Sequence, residues 1–193
     1  PIPDRISILA DVAEIVSRSH DLQETLANVT DLVAKRLDAD VCSIYLIDTE
    51  PETLTLMASI GLDPASVGGV QLRVGEGLVG LVAQRKEPVA LEHARDHDSF
   101  RYFPETGEER YESLLAAPLV MQGATIGVLV IQTVDARAFE HSDVELMQTC
   151  AQLLAPVVVN AQLLALMSVS EPRREELTSA LTGVSGRFPG VED

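Results

Sequence analysis

Tryptophan is absent from this 193-residue chain, and aromatic residues make up only 4% of it against 46% hydrophobic residues in all. The core must therefore be aliphatic, built from Leu, Val, Ile and Ala. Basic residues are scarce: 14 Lys and Arg stand against 30 Asp and Glu, a formal charge of -16. Such a charge repels phosphate backbones and anionic headgroups over about a Debye length, which argues against a nucleic-acid or membrane-surface partner. Cysteine is limited to Cys42 and Cys150, far apart and without CxxC spacing. That excludes a disulfide framework and a zinc site, and leaves two buried, reduced thiols as the expectation. No apolar run approaches the roughly 20 residues of a membrane helix, and no basic stretch followed by an apolar one opens the chain. The expectation is a soluble, cytoplasmic protein. The length suits one sizeable core with a tail, and a start at Pro1 without Met reads as a piece of something larger.

What is present is strong periodicity. From Arg5 to Ser19, Ile8, Leu9, Val12, Ile15 and Val16 recur at helical spacing, and Asp21 with Glu24 forms a capping box ahead of Leu22, Leu26, Val29, Val33 and Leu37. Val41 to Asp48 is apolar on both faces, as a central strand is. Thr53 to Ile60 alternates, with Leu54, Leu56, Ala58 and Ile60 expected on one face. Val70, Leu72 and Val74 mark a half-exposed strand, Gly77 to Gln84 a short helix, and Pro88 to Leu91 an edge strand. Ser113 to Met121 and Ala124 to Thr133 are joined at Gln122-Gly123, a hairpin signal. Ser142 and Glu145 read as a second capping box, opening a helix that buries Met147, Cys150, Ala151, Leu154, Val157, Val158 and Ala161, with a kink at Pro156. From Ser168 the pattern dissolves into charges, Gly and Pro. Tight turns between strands imply an α+β fold, an antiparallel sheet with helices packed on its faces.

Three local patterns bear on function. Gly75-Glu76-Gly77-Leu78-Val79-Gly80 matches the dinucleotide fingerprint by letter. The strand before it alternates with polar residues, however, and Glu76 aims charge at any pyrophosphate, so the glycines read as turn and packing residues and no cofactor is expected. His93 and His97 lie four apart among Glu92, Asp96 and Asp98, in a short polar segment that reads as a solvated loop, with a transient metal site or a ligand contact as the alternative. Neither Ser99 nor Ser113 sits in a nucleophile elbow, so no catalytic residue is expected.

The segment Arg101 to Arg110 is different. It carries Arg101, Tyr102, Phe103 and Arg110 in an otherwise acidic chain, and guanidinium forks suit small carboxylates. It reads as a ligand-binding lid, or as a loop pinned by its rings with Arg101 and Arg110 paired to Glu105, Glu108 and Glu109.

The element order, Leu78-Val79-Gly80-Leu81-Val82-Ala83 and Ile126-Gly127-Val128-Leu129-Val130-Ile131 together resemble a GAF domain. Ala39 to Leu46, Glu87-Pro88-Val89 and Phe100 to Glu109 are similar, more narrowly, to the N-terminal GAF domains of phosphoenolpyruvate-protein phosphotransferases of the nitrogen phosphotransferase system. The likeness covers about residues 4–168, so the organisation expected is a sensory domain over 1–168 and a linker over 169–193. Leu181 to Val191 resembles the entry into the phosphotransferase region. The active-site pattern Gly-Gly-x-Thr-Ser-His is absent, so the resemblance implies no enzymatic activity for this chain itself.

The resemblance also implies a six-stranded antiparallel sheet between helical layers and a small-molecule effector, with glutamine and 2-oxoglutarate as candidates, acting on phosphotransferase domains in cis. Residues suited to such a ligand are Arg101, Tyr102, Phe103 and Arg110, with Ser43 and Tyr45 on the central strand and Ser113 and Gln132 on later ones. A cyclic-nucleotide reading is weakened because Phe139 and Asp143 keep only part of that motif, with Val144 in place of its Glu. A methionine sulfoxide reductase would need clustered cysteines. The remaining alternative is an interaction module with an empty pocket, a homodimer joined through its terminal helices, with Leu163, Leu164, Leu166 and Met167 at the contact.

Overall fold

A computed structural model describes residues 2–18, 21–48, 52–106 and 110–183, with side chains between Ser7 and Leu164 except Glu105. Six strands form one antiparallel sheet: β1 (Val41–Asp48), β2 (Thr53–Ile60), β3 (Gln71–Arg73), β4 (Val89–Leu91), β5 (Ser113–Met121) and β6 (Ala124–Thr133). Their spatial order is β3-β2-β1-β6-β5-β4, which puts the doubly apolar β1 at the centre and the Pro88-led β4 at an edge. The four helices are α1 (Ile2–Arg18), α2 (Leu22–Arg36), α3 (Gly77–Arg85) and α4 (His141–Gly183). Residues 1–158 make one compact unit and 159–193 a second.

Within the first unit the sheet divides the core in two. On one face Ile8 and Val12 of α1, Leu26, Val29 and Val33 of α2 and Met147, Cys150, Leu154 and Val158 of α4 pack on Cys42, Ile44, Leu129 and Ile131. On the other, Leu78 and Val82 of α3 and Tyr111 pack on Val41, Tyr45, Leu114, Val128 and Val130. Strand side chains alternate with period two, so a sheet covered on both sides must be apolar at nearly every position. The β1 sequence shows that composition.

One strand departs from simple alternation. Ile44 pairs with Ala58, but Tyr45 pairs with Leu56, leaving Met57 as a bulge. Leu54 and Leu56 consequently face α3, whereas Ala58 and Ile60 pack against the layer of α1, α2 and α4. The expected single face over these four residues is therefore corrected: an extra residue reverses the parity of everything after it. The Met57 carbonyl accepts a hydrogen bond from the Gln23 carboxamide at 2.6 Å, tying the bulge to α2.

The turns are made as their residues dictate. Gln122 and Gly123 have φ of 50° and 80°, the left-handed pair of a two-residue hairpin, closing Met121 on Ala124. Asp21 caps α2 by accepting the Gln23 N–H at 3.0 Å. α4 begins differently from expectation. Asp143, not Ser142 with Glu145, completes the cap, accepting the Glu140 N–H at 3.1 Å. The reason lies upstream: Arg137 donates to the Leu37 carbonyl, sits 3.7 Å from Asp143 and stacks 5.1 Å above the Phe139 ring. That clamp starts the helix one residue before Ser142, so Phe139 and Asp143 serve a helix start.

α4 continues through Pro156, which is exposed together with Gln152, the residue whose carbonyl loses its partner. By length and composition His141–Leu164 could cross a membrane, although no unbroken apolar run does so. Its apolar side, from Met147 to Val158, is packed in the core. Val157 and Ala161 are only partly covered. The second unit is helical as far as Gly183, beyond the expected break at Ser168. Arg173 to Leu181 lacks an apolar stripe yet consists largely of good helix formers, and propensity carries what periodicity did not signal.

Two predictions follow from the core. Cys42 and Cys150 are fully buried, and burial pushes both thiols up, Cys150 to about 12. Neither thiol should react with a disulfide reagent at pH 8 until denaturant unfolds the chain; rapid labelling of native protein refutes the packing. At Gly127 a Cβ would lie 2.4 Å from the Tyr45 carbonyl oxygen. Gly127→Ala should lower stability by about 1–3 kcal/mol or more in urea titrations, whereas a neutral result would contradict this β1–β6 contact.

Candidate functional site

The face of the sheet away from α1, α2 and α4 carries the candidate site. Tyr45 on β1, Leu72 on β3, Leu114 on β5 and Gln132 on β6 form its floor. Leu78 and Val79 of α3 form one wall. The roof is the segment between β4 and β5, through Ala94, Phe100, Arg101, Phe103 and Tyr111. These groups enclose about 30 Å³. One water needs roughly 10–15 Å³ on this measure, and ligand pockets run from about 300 Å³ upward. The roof is therefore shut, with Phe100 and Phe103 half-buried against the second core.

The roof segment is folded by local bonds. Ser99 N–H donates to the His97 ring at 3.1 Å, and the Phe100 N–H to the His97 carbonyl at 2.8 Å. Thr106 donates both its N–H (3.0 Å) and its hydroxyl (2.7 Å) to the Phe103 carbonyl. Its two ends are joined at the base: Ala94 N–H to the Glu112 carbonyl at 2.7 Å and Ser113 hydroxyl to the Glu92 carbonyl at 2.7 Å. Tyr111 is buried and its hydroxyl donates to the Gly61 carbonyl at 2.8 Å. Arg110 in turn donates to that hydroxyl at 2.9 Å and stacks 5.1 Å over the Tyr111 ring.

Of the eight residues singled out from sequence, Tyr45, Arg101, Phe103 and Gln132 line the cavity. The other four do not. Ser43 shares a strand with Tyr45, but its hydroxyl bonds Ser59 at 2.8 Å. Ser113 is a buried structural hydroxyl that also accepts the Arg137 N–H at 2.6 Å. Tyr102 is 40% exposed. Arg110 braces Tyr111. The proposed pairing of arginines with Glu108 and Glu109 lies outside the described residues, as does the Glu105 side chain. Sequence reasoning missed Tyr111 as a lining residue: it lies two residues before β5 on the parity of Leu115, which faces the other core, so strand alternation gave no signal for it. Leu78 and Val79 gave no signal beyond helix packing.

The glycine pattern serves the backbone. Gly75 and Gly77 have φ of 88° and 65°, and Gly75 N–H donates to the Gly80 carbonyl at 2.8 Å. A Cβ on Gly80 would lie 2.5 Å from the Arg73 carbonyl oxygen. The Glu76 carboxylate accepts the Arg73 N–H at 3.1 Å, which sets an anion beside the start of α3. Among the described residues, no group of three His, Cys, Asp or Glu is placed to hold a metal ion. His93 and His97 flank a single 3-10 turn, Ala94–Asp96, so they do not share an α-helical face.

Residues 21–158 match the family model of the GAF domain. This chain belongs to the GAF domain family. The domain is 33% identical over 177 residues to a protein of Escherichia coli K12 described as a phosphoenolpyruvate-dependent phosphotransferase system, covering 92% of this chain and 24% of that protein. It is 29% identical over 156 residues to a Nif-specific regulatory protein of Azospirillum lipoferum, covering 77% of this chain and 24% of that one. The chain thus spans about a quarter of the length of these curated relatives. Among solved structures, the GAF domain of an Acinetobacter phosphoenolpyruvate-protein phosphotransferase is 35% identical, with a TM-score of 0.77 over 83% of this chain and 96% of that one. The GAF domain described here is therefore similar to those of phosphoenolpyruvate-protein phosphotransferases, and its six-stranded antiparallel sheet is the fold the resemblance implied.

The base of the roof carries a titratable pair. His93 Nδ1 lies 2.9 Å from a Glu112 carboxylate oxygen, with Arg95 4.0 Å from the other. The hydrogen bond to Glu112 raises the His93 pKa above its ordinary 6.5. Since the folded value is the higher one, the pair's stabilisation is complete below pH 6.5 and fades as pH rises through the raised folded value. In an NMR titration His93 should titrate above 6.5 and return toward it in Glu112→Gln; a normal value in the unaltered chain would refute the pair.

Proposed function

We propose that this GAF domain is a regulatory small-molecule sensor of a phosphoenolpyruvate-protein phosphotransferase of the nitrogen phosphotransferase system, acting in the cytoplasm and modulating autophosphorylation of domains in cis. It performs no chemistry of its own in this reading. The observation that carries the proposal is the cavity: aromatic, roofed by a segment fixed at its base, and bearing the exposed cation Arg101 at its rim. The similarity to phosphotransferase GAF domains supports the parent protein, and the Nif-specific relative supports a nitrogen signal.

A shut cavity of about 30 Å³ makes binding a conformational event. A metabolite of glutamine or 2-oxoglutarate size enters only when Phe100 and Phe103 move out, so the ligand selects an opened state and its affinity is reduced by the rarity of that state. The same opening is the signal. The bonds at Ala94–Glu112 and Ser113–Glu92 anchor the base while the ring-bearing middle moves.

A second reading has its own observation. Leu163 and Leu164 are 53% and 67% exposed, and a homodimer through the terminal helices with an unused cavity would cover them. Leu166 and Met167, named for the same contact, have side chains outside the described residues.

Thermal shift and hydrogen exchange separate the two. A ligand at 100 times its Kd adds about 2.7 kcal/mol; glutamine or 2-oxoglutarate should raise the midpoint and alter exchange at 98–106. Arg101→Ala should abolish the rise while leaving the unliganded midpoint nearly unchanged. No response to amino acids, oxo acids or nucleotides, together with a dimer in sedimentation that Leu163→Glu dissociates, would establish the dimer reading instead.

A further inference from the structure

Most cations of this acidic chain are already neutralised. Arg18, Lys35, Arg36, Arg95 and Arg137 each lie within 4.0 Å of a carboxylate, and Arg110 donates to the Tyr111 hydroxyl. Arg73, Arg85, Lys86 and Arg101 are exposed and meet no carboxylate among the described residues. They are not scattered over the surface. Arg73 ends β3, Arg85 and Lys86 close α3, and Arg101 crosses the first residue of α3, since a Cβ on Gly77 would meet the Arg101 Cβ at 3.5 Å and its Cγ at 3.8 Å. With 30 acidic residues against 14 basic ones, carboxylates are plentiful, and a cluster of cations that has none is an anomaly of this face.

An open groove of about 640 Å³ runs between the β3–α3 turn and the roof segment. Gly75 and Gly77 line it without side chains, Arg73 and Gln84 come from one side, and Ser99 and Arg101 from the other. The Gln84 carboxamide lies over Gly75, 3.1 Å from where a Cβ would be, and Arg85 and Lys86 follow it directly in sequence. Only Arg101 also borders the roofed cavity, so the groove is a separate surface. Glu76 and Asp98 line it too, and they narrow what it can hold. A polyphosphate packs its charge densely and would be set against both acids. Carboxylates spaced along a peptide can each meet one guanidinium fork while neutral groups pass the fixed acids. An acidic protein is repelled by the bulk of a chain of charge -16 and attracted here, so long-range electrostatics also orient it.

We propose that this groove, flanked by Arg73, Arg85, Lys86 and Arg101, is a docking site for an acidic segment of a partner protein, held through carboxylates spaced along that segment. The docking surface is independent of the sensor reading, because Arg73, Arg85 and Lys86 do not border the cavity. Exposed ion pairs are individually weak and screened by salt, so binding is the sum of several and depends on ionic strength.

The test is fluorescence anisotropy on the whole chain with labelled hexaglutamate, acetylated and amidated at its ends. Hexaglutamate should bind at low salt and weaken severalfold at about 0.15 M salt, while hexaglutamine should not bind. Arg73→Gln and Arg85→Gln should each weaken hexaglutamate about threefold, the double variant Arg73→Gln/Arg101→Gln should abolish binding, and Arg73→Lys, which keeps the charge, should retain most of it. Absence of hexaglutamate binding at low salt overturns the site. Tighter binding of inorganic tripolyphosphate than of hexaglutamate shows a phosphate site and overturns the ligand class. A loss confined to Arg101→Gln, with Arg73→Gln and Arg85→Gln at full affinity, places the peptide at the cavity mouth and overturns the groove. None of these outcomes bears on the response to glutamine or 2-oxoglutarate, which tests the sensor reading separately.

Discussion

Both faces of the six-stranded sheet are covered, and the rest of the molecule is arranged around that constraint. A sheet with no solvent side has apolar residues at both parities of its central strands, which is why β1 and β6 are mostly apolar. Among the exceptions, Ser43 bonds Ser59, Thr125 the Ala83 carbonyl and Thr133 the Asp135 carbonyl, and Gln132 lines the cavity. The helices α1, α2 and α4 supply continuous aliphatic cover on one face. The opposite face has a single short helix, α3, and borrows the rest of its cover from a loop segment.

That asymmetry creates the site. A loop cannot pack as densely as a helix, because its own backbone polar groups must be satisfied first. Several of them are bonded within the segment and at its base, through His97, Phe103, Glu92 and Glu112. The rings of Phe100 and Phe103 then fill most of the space that remains. The result is a cover that contributes to the second core and is bonded to the sheet at its base.

Much of this was legible in the residues. The 3.6-residue period of Leu26, Val29 and Val33 and the two-sided apolarity of Val41 to Asp48 gave the elements and the antiparallel order. Gln122-Gly123 gave a hairpin. What was not legible depended on residues distant in sequence. Met57 carries no mark of a bulge, because the extra residue is defined only against β1 and is held by Gln23 of α2. The start of α4 moved from Ser142 because Arg137 bridges Leu37 and Asp143. Ser113 looked like a ligand group and is a strand-end fastener, since its partners, Glu92 and Arg137, lie 21 and 24 residues away.

The sequence by itself determined most of the secondary structure, the aliphatic two-sided core and the locally cationic, ring-bearing segment, since each is written in short-range periodicity or composition. The tertiary structure alone decided that Tyr111 seals the segment to Gly61, that the cavity is shut, and that Ser113 fastens a strand end instead of lining it. Those facts are pairings between groups dozens of residues apart, and whether a polar side chain has a partner is a property of the surroundings it is folded into, which its own position in the chain does not encode.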